Sequence, residues 1–367
     1  MKILILANSD MGLYRFRQEL IEALVAEGHE VVCSLPEGGM VAKIVDLGAR
    51  FVPCCSLQRH GTNPLAELRL ISFYESLLKD ERPDIVFTYT IKPNVYGGMA
   101  CGRLGIPYVV NITGLGTAVE NGGALQAITL FLYKRGLAKA QKVFFQNEDN
   151  RDFMLGKGAV SGACDLLPGS GVNVDRFPAL EYPDDGRVRF LFIARIMKEK
   201  GIEQYLDAAE QIKKRHPDAE FHVCGACEPE YKGRLRQCQE SGAIVYHGCV
   251  EDVLPLYEMA SCVVLPSYYP EGMSNVLLES CACARPIITT DRPGCREIVD
   301  DWVNGFIVRE RDSECLIQKM EAFLALPRDQ RVEMGKAGRK KVRREFDRQI
   351  VVLEYLKELE QHEKTGK

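Results

Sequence analysis

The segment YYPEGMSNVLLES, residues 268–280, contains two glutamates, Glu271 and Glu279, with seven residues between them. It follows the apolar run CVVLPS and leads into an apolar stretch that is typical of a buried helix. Glu271 and Gly272 are therefore expected in a strand-to-helix loop. Glu279, four residues after Asn275, would face the same side as that loop. The spacing predicts that the two carboxylates flank one ligand.

The start of this helix is also a candidate phosphate site. Met273, Ser274 and Asn275 would present free backbone N–H groups there, and such groups bind anions. Gly272 lacks a Cβ and would let a phosphate approach the backbone. The simpler interpretation is that the acids complement the helix dipole, at about 0.3 to 1 kcal/mol each. That suffices for Glu271 but not for Glu279, whose apolar flanks predict burial and hence a partner.

A second constellation lies in FLFIARIMKEKG, where Arg195 ends an apolar strand and Lys200 precedes Gly201 and a helix. Two cations at the carboxyl end of a strand would neutralise a diphosphate, the arginine through forked hydrogen bonds and the lysine as a point charge. The alternative is a solvated basic loop, which is the interpretation we adopt for Lys198.

The first half offers weaker signals in the loops that follow its apolar runs. The turn NSDMGLYRFR holds a single glycine, Gly12, and lacks the GxGxxG of a dinucleotide fold, which disfavours a nicotinamide dehydrogenase. Gly12 would let a substrate approach a helix starting at Leu13, and Arg15 and Arg17 either meet a phosphate or are exposed helix residues. Further candidate ligand contacts come from SLQRHGTN, TYTIKPN and NITGLGT, namely His60, Thr90, Lys92, Asn94, Asn111, Thr113, Gly114 and Gly116.

The elements that position these residues are predicted by an alternation of uniformly apolar runs with amphipathic stretches. Strands such as KILILA, DIVFTY and KVFFQN are predicted to be buried on both faces of a parallel sheet wrapped by helices. This alternation stops in the segment NVDRFPALEYPDDGR and resumes at VRFLFIA, which predicts two domains joined by a linker. We predict a first domain over residues 1–172, a linker over 173–187 and a second domain over 188–345. A C-terminal helix over 346–367 is predicted to cross back to the first domain. The fold class is α/β, with two doubly wound parallel sheets facing a cleft. Ligands would lie outside the carboxyl ends of the strands.

Composition limits the partners. The chain has 367 residues, a net charge of −4 and 46% hydrophobic residues, which is ordinary for a globular protein and argues against nucleic acid as a partner. Its N-terminal apolar run is too short for a signal peptide, so the 14 cysteines are expected to be free thiols in a cytoplasmic protein. The Cys224–Cys227 pair lacks a second ligand pair, and no cluster has metal-ligand spacing. We expect no metal and no cofactor.

One set of residues resembles a known family, namely Glu271, Glu279, Arg195, Lys200 and the later segment PGCREIVDDWVNGFIV. Through these residues the chain resembles the retaining GT-B glycosyltransferases of family 4 (glycosyltransferase group 1), and the resemblance covers nearly all of its length. GLYRFR, TIKPN and NITGLGT resemble the branch that builds capsule, O-antigen or protein-linked glycans on a polyprenyl diphosphate carrier. One departure is that many members have a histidine near the position of Thr113.

The resemblance implies a nucleotide sugar, usually a UDP-sugar, as co-substrate in the second domain. Glu279 would bind the ribose hydroxyls and Glu271 would lie near the sugar, while Arg195, Lys200 and the helix start at 273–275 stabilise the leaving diphosphate. Gly12 and Gly272 would also approach the donor. Arg15, His60, Lys92, Asn94, Asn111 and Thr113 would contact the acceptor, with Thr113 or Asn111 replacing the family histidine.

Other functions remain open on sequence. A carboxylate pair also occurs in glycosidases, although these place it across the scissile bond, commonly on different elements. A GT-B sugar-nucleotide epimerase and a non-catalytic nucleotide-sugar binding protein are the alternatives to a transferase. The stretch LQAITLFLYKRGLAKAQK, residues 125–142, is either a core helix with a basic face or a peripheral contact with an anionic membrane.

Overall fold

The computed structural model of the chain describes residues 1–57, 63–120 and 122–365. It divides into two compact units. The first comprises Met1–Gly171, Glu271–Met273 and Arg348–Lys367, and the second comprises Val172–Pro270 and Ser274–Asp347. Residues 173–187 therefore belong to the second unit. Among the described residues, no helix is both long and apolar enough to cross a membrane.

The first unit contains a parallel sheet in the order β3-β2-β1-β4-β5-β6-β7. Its strands are β1 Lys2–Leu6, β2 Glu30–Leu35, β3 Arg50–Pro53, β4 Ile85–Tyr89, β5 Tyr108–Ile112, β6 Lys142–Phe145 and β7 Cys164–Leu166. Its helices are α1 Asp10–Ala26, α2 Val41–Asp46, α3 Pro64–Glu81, α4 Gly98–Leu104, α5 Thr117–Glu120, α6 Gly123–Leu137, α7 Glu148–Gly156 and, last in the chain, α14 Arg348–Thr365. A turn of π-helix, Pro93–Gly97, leads into α4. Strands β4 and β5 are buried along their whole length and β1 along all of it but Lys2, as helices on both faces of a parallel sheet require.

Helix α14 completes one face of this sheet. Val351, Val352, Tyr355 and Leu359 are buried in a core cluster with residues of β1, β2 and β4. The Tyr355 ring lies 4.9 Å from that of Phe87. Arg348, at the start of α14, forms a buried ion pair with Glu19 of α1 at 2.9 Å. The last helix is thus an integral part of the first unit.

The second unit has a six-stranded parallel sheet in the order β10-β9-β8-β11-β12-β13. Its strands are β8 Arg189–Ile193, β9 Glu220–Cys224, β10 Val245–Tyr246, β11 Cys262–Leu265, β12 Ile287–Thr290 and β13 Gly305–Val308. Its helices are α8 Ile202–Arg215, α9 Lys232–Glu240, α10 Leu254–Met259, α11 Asn275–Ala282, α12 Ser313–Ala325 and α13 Arg328–Glu345. The predicted class, α/β with two doubly wound parallel sheets, is confirmed.

Candidate active site

Strand order identifies one switch point in each sheet. In the second unit the chain runs outward from β8 through β9 to β10, then returns to β11 and proceeds through β12 to β13. Ligands of doubly wound sheets bind outside the carboxyl ends of the two strands where the order reverses. The loops that follow β8 and β11 are therefore the place to look, and they contain Arg195, Lys200 and the segment before α11.

The loop after β8 gathers two cations on one aromatic ring. The Arg195 guanidinium lies 5.7 Å from the ring centroid of Tyr269, and Lys200 Nζ lies 4.8 Å from it. Both distances are within the range of a cation–π contact. Tyr269 stands in the loop after β11, so the ring links the loops on the two sides of the switch point. Sequence reasoning missed Tyr269, although its place beside the Glu271 motif was a usable signal.

A backbone bond ties the same two loops together. The Tyr268 N–H donates to the Glu199 carbonyl at 2.8 Å, within the 3₁₀ turn Lys198–Lys200. Gly201 follows with φ +78°, and a Cβ there would lie closer than 3.0 Å to the carbonyl oxygen of Pro266. Glycine is required at this position for both reasons. The geometry of Lys200 is thus fixed by the backbone on either side of it.

Glu279 is half-buried on α11 and has a partner that the sequence did not reveal. The Tyr257 hydroxyl of α10 donates to Glu279 Oε2 at 3.0 Å. Burial, reinforced by the neighbouring Glu279 carboxylate, raises the pKa of Tyr257 well above its ordinary value. Tyr257 therefore stays protonated and serves as a permanent donor to the carboxylate.

The helix start differs in part from expectation. The Ser274 N–H is not free, because it donates to the Gly294 carbonyl at 2.8 Å. Met273 is buried in the first unit against Gly169, where an added Cβ would collide with the methionine side chain. Of the three residues expected to offer backbone donors, Asn275 at the first position of α11 keeps a place in the first turn.

Glu271 and Gly272 belong to the first unit and are held there by Asn147. Asn147 Nδ2 donates to the Gly272 carbonyl at 2.6 Å and to the Glu271 carbonyl at 3.3 Å. Its Oδ1 caps α7 by accepting from the Asn150 N–H at 2.9 Å. A Cβ on Gly272 would lie closer than 3.0 Å to Gln146 Oε1 and to the Thr113 carbonyl. Glycine is thus required here by packing, a reason different from the predicted approach of a phosphate.

The loop after β1 corrects the interpretation of Gly12. Helix α1 begins at Asp10, three residues before Leu13, and Gly12 lies inside its first turn. The Gly12 N–H donates to Ser9 Oγ at 3.2 Å, so this amide is engaged in the N-cap at the place where a substrate was expected to approach. Arg17 is buried, with its guanidinium 4.8 Å from the Tyr89 centroid, and is not an exposed helix residue. Arg15 is partly exposed, and its carbonyl accepts from Arg348 at 3.0 Å.

The other first-unit candidates separate into buried and accessible groups. Asn94 and Asn111 are fully buried. The side-chain amide of Asn94 donates to the backbone carbonyl of Asn111 at 2.9 Å, and the side-chain amide of Asn111 donates to the Tyr355 hydroxyl at 3.0 Å. These amides are therefore engaged by the protein and do not point to an acceptor. Lys92 forms an ion pair with Glu67 at 2.7 Å. Thr113 is partly exposed beyond β5, next to Gly272, which leaves it as the better candidate for the role of the family histidine.

Backbone strain marks the switch point of the first unit, which lies between β1 and β4. Thr90, directly after β4, has φ +72°. A β-branched residue rarely adopts this conformation, and such strain clusters at functional sites.

His60, the remaining acceptor candidate, lies outside the described residues. Within the ranges the structure describes, no three His, Cys, Asp or Glu side chains are grouped as metal ligands. Cys224 and Cys227 are free thiols.

Comparison with known protein families identifies the chain as a glycosyltransferase. Residues 177–341 match the family described as "Glycosyl transferases group 1", and residues 12–170 match the "Glycosyl transferase 4-like domain". The chain belongs to this glycosyltransferase family and has the GT-B fold.

Known proteins similar to the chain include characterised transferases. It is 25% identical to the N,N'-diacetylbacillosaminyl-diphospho-undecaprenol alpha-1,3-N-acetylgalactosaminyltransferase of Campylobacter jejuni, over 97% of this chain and 98% of that protein. The capsular polysaccharide biosynthesis glycosyltransferase CapM of Staphylococcus aureus is 28% identical over 44% of this chain and 42% of its own. The structure of HepE from Anabaena with UDP and glucose superposes with a TM-score of 0.81 at 15% identity, covering 98% of this chain and 99% of HepE.

Proposed function

We propose that the protein transfers a sugar from a nucleoside diphosphate sugar, a UDP-sugar, to a saccharide or polyprenyl-linked acceptor, with retention of anomeric configuration and without a metal ion. The observation that carries the proposal is the placement of Arg195 and Lys200 over Tyr269, at the carboxyl ends of β8 and β11. This is where a doubly wound sheet binds nucleotides.

The donor's phosphates explain the two cations. Cleavage of the sugar–phosphate bond builds negative charge on the leaving diphosphate, and fixed cations at that position lower the barrier directly. Arg195 offers a fork of donors and Lys200 a compact charge, both held by the ring of Tyr269. These cations supply the neutralisation that a divalent metal supplies in other transferases.

Glu279 suits the ribose of the nucleotide. A carboxylate that is oriented by the buried Tyr257 hydroxyl can accept hydrogen bonds from two vicinal hydroxyls. Glu271 is assigned to the sugar ring. HepE, a protein of the same fold, was crystallised with UDP and glucose, which is consistent with a uridine nucleotide as donor.

In the proposed reaction the bond between the anomeric carbon and the diphosphate oxygen breaks, and a bond from the acceptor oxygen to the same carbon forms. The acceptor attacks from the face that the diphosphate leaves, which gives retention. The acceptor's hydroxyl proton passes to the leaving phosphate oxygen. Arg195 and Lys200 balance the charge of the product diphosphate.

The acceptor is assigned from relatives. The name of the Campylobacter jejuni enzyme includes diphospho-undecaprenol, and CapM is named as a glycosyltransferase of capsular polysaccharide biosynthesis. A polyprenyl diphosphate acceptor lies in a bilayer, so the enzyme would have to meet it at the membrane surface, on the cytoplasmic face where nucleotide sugars are available.

Helix α6 has a face suited to that contact. Leu125, Ile128 and Phe131 are exposed by 51%, 56% and 55%, and they follow one another at intervals of three residues. Lys134 and Arg135 are exposed in the last turn. Apolar side chains beside cations are the composition of an interfacial helix near anionic lipid. We propose that this surface, residues 125–135 of α6, is a peripheral membrane contact.

The other two basic residues of the predicted stretch 125–142, Lys139 and Lys142, are engaged by partners within the protein. Lys142 forms ion pairs with Asp165 at 2.5 Å and Glu358 at 3.4 Å. Lys139 Nζ donates to the Gly102 carbonyl at 2.8 Å. The proposed contact therefore depends on Lys134 and Arg135.

The test is sugar transfer from a panel of nucleotide sugars to polyprenyl-diphosphate-linked and free saccharides, with and without EDTA. We expect turnover with one UDP-sugar, insensitivity to EDTA, and a product with the donor's anomeric configuration by NMR. Epimerisation of the donor without an acceptor would indicate the epimerase, and binding without turnover would indicate a binding protein. Either result would refute the transferase, and an inverted product would refute retention.

A further inference from the structure

Helix α13 presents five cations on one face. Lys336, Arg339, Lys340, Arg343 and Arg344 follow the spacing i, i+3, i+4, i+7, i+8, which places neighbouring charges about 5 to 6 Å apart at their Cβ atoms. Like charges at such spacing destabilise a helix by roughly 0.2 to 0.5 kcal/mol per pair. A helix that keeps this arrangement needs a compensating anion, from the protein or from outside.

The five side chains line a pocket of about 510 Å³ in the second unit, together with two alanines. The lining includes neither an aromatic ring nor a carboxylate. A nucleobase would therefore find nothing to stack against, whereas phosphate oxygens would find several N–H donors.

The protein compensates only part of this charge. Lys336 forms an ion pair with Glu333 at 2.7 Å, and Arg344 pairs with Glu345. Arg339 donates to the carbonyls of Phe177 at 2.9 Å, of Val174 at 3.3 Å and of Ala282. Within the described part of the chain, Lys340 and Arg343 have no carboxylate at ion-pair distance, and both are exposed.

The arginines of the pocket also act on one another. Burial and then the charge of Arg343 lower the pKa of Arg339 from its ordinary value. The neighbouring Lys341 lies outside this set, because it is buried and paired with Asp300 at 2.6 Å. The uncompensated charge is thus concentrated on Lys340 and Arg343 of the pocket lining.

The pocket is separate from the proposed donor site. It adjoins the C-terminal end of α11, where Arg339 binds the Ala282 carbonyl, whereas the donor's phosphates are assigned to the opposite end at Asn275. Eight residues of helix at about 1.5 Å per residue separate the two ends by roughly 10 Å.

We propose that this pocket of α13 is a second anion site, which binds a multiply charged phosphate group. The shared chemistry is two or more adjacent phosphates, and they come either from a soluble di- or triphosphate or from the head groups of anionic lipid. The site does not depend on the proposed transferase activity, and its occupant is not a substrate of that reaction.

The test uses the full chain and a matched pair of double variants. Lys340→Gln/Arg343→Gln removes the two uncompensated charges. Lys214→Gln/Arg236→Gln removes two exposed charges from α8 and α9 of the same unit. Both are made in an Arg195→Ala/Lys200→Ala background, so that the donor site does not bind phosphate. One arm titrates inorganic tripolyphosphate by calorimetry, and the other measures co-sedimentation with phosphatidylglycerol or phosphatidylcholine vesicles.

We expect the Lys340/Arg343 pair to weaken binding at least tenfold in one of the two arms, and the control pair to leave it unchanged. Loss confined to tripolyphosphate identifies a soluble ligand, and loss confined to phosphatidylglycerol vesicles identifies lipid head groups. Equal binding by the two double variants in both arms, or no binding by their shared background, overturns the proposal. The Lys340→Gln/Arg343→Gln variant with Arg195 and Lys200 intact should have the same transferase activity as the wild-type protein.

Discussion

The buried hydroxyl of Tyr257 donates to Glu279 Oε2 at 3.0 Å, which joins α10 to α11 through one of the two carboxylates that the sequence predicted to flank a ligand. Tyr257 is fully buried, and burial raises its pKa well above the ordinary value, which keeps the donor proton in place at neutral pH. The carboxylate is therefore oriented before any ligand arrives, and such preorganisation reduces the entropy lost on binding.

Replacing Glu279 with alanine should weaken nucleotide-sugar binding by about 1.5 to 3 kcal/mol, because charged hydrogen bonds to the ribose are lost. Tyr257→Phe should have a smaller effect in the same direction, and the two changes together should be less than additive since they act through one carboxylate. Calorimetry of the single and double variants measures this, with exposed Glu258→Ala on α10 as the control. An unchanged dissociation constant for Glu279→Ala would sink the ribose assignment.

Lys200→Ala should act on turnover more than on binding, because the charge on the leaving diphosphate grows in the transition state. We expect kcat to fall about 10²-fold or more, as for other preorganised donors. Lys198→Ala is the matched control, since Lys198 is an exposed residue of the same 3₁₀ turn. Near wild-type kcat for a folded Lys200→Ala would contradict the role.

Asn147→Ser should lower kcat while leaving α7 capped. Serine is a good N-cap, but it cannot reach the Glu271 and Gly272 carbonyls, so both bonds from Asn147 are lost and the Glu271 carbonyl keeps the longer bond from Asn150 Nδ2 at 3.4 Å. Gly272→Ala should have a larger effect because of the collision with Thr113 and Gln146. Gly156→Ala, in open space on α7, is the control and should not lower activity. Steady-state kinetics with circular dichroism of each variant would show whether activity falls with the fold intact; wild-type kcat for Asn147→Ser would disprove the anchoring role.

Unfolding free energy should decrease as the pH falls below about 6.5, the ordinary value for histidine. His222 Nδ1 lies 2.9 Å from His247 Nε2, and burial lowers the pKa of both rings. Glu220, 3.5 Å from His222, opposes this for His222 but is outweighed by burial. A depressed folded-state pKa means that the unfolded chain binds more protons, so stability is complete above the unfolded pKa and is lost as the pH falls towards the folded one.

Denaturant titrations at pH 7.5 and 5.5 would measure this loss. His247→Gln should reduce the difference between the two pH values, and the exposed His216→Gln should not. An equal pH dependence in wild type and His247→Gln would exclude the histidine pair as its source.

Binding to anionic vesicles should depend on α6. Reversing Lys134 and Arg135 to glutamate should abolish co-sedimentation with phosphatidylglycerol vesicles at low salt, since each cation near the surface contributes about 1 kcal/mol that salt screens. Phe131→Ser should weaken it further by removing apolar contact. Lys142→Gln is not a usable control because of its ion pairs, so Lys79→Glu, exposed on α3, serves instead. Binding that survives both reversals would assign the membrane contact to another surface.

The apolar runs predicted the sheets correctly because strands of a doubly wound fold are buried on both faces and need no tertiary information to be recognised. Arg195, Lys200 and Glu279 were predicted as site residues for a related reason, since charged residues beside buried runs have few structural explanations; their roles stay predictions. Their partners were not found. Tyr257 is an ordinary aromatic residue in the sequence, and only the fold brings it to Glu279, whereas Tyr269 stands beside the Glu271 motif and offered a signal that the sequence reasoning did not use.

Errors in the first unit have a common cause. Asn94 and Asn111 follow or end buried strands and have the residue type of ligand contacts, yet one satisfies the backbone of β5 and the other a tyrosine of the last helix. Gly12 was misplaced because Ser9 begins α1 earlier than the apolar pattern indicates. Position after a strand predicts function only where the side chain is not needed inside the fold.

The position of Tyr355 on the last helix affects when the first unit can finish folding during synthesis. Helix α14 leaves the ribosome after the whole second unit, yet the first unit needs Tyr355 to cover Phe87 and to accept the Asn111 amide, and needs Arg348 to pair with Glu19. A nascent chain of about 345 residues would carry an unfinished first sheet with an uncovered apolar face. The half that is synthesised first can therefore complete its core only after the last helix has been made, and exposed apolar surface of that kind favours aggregation.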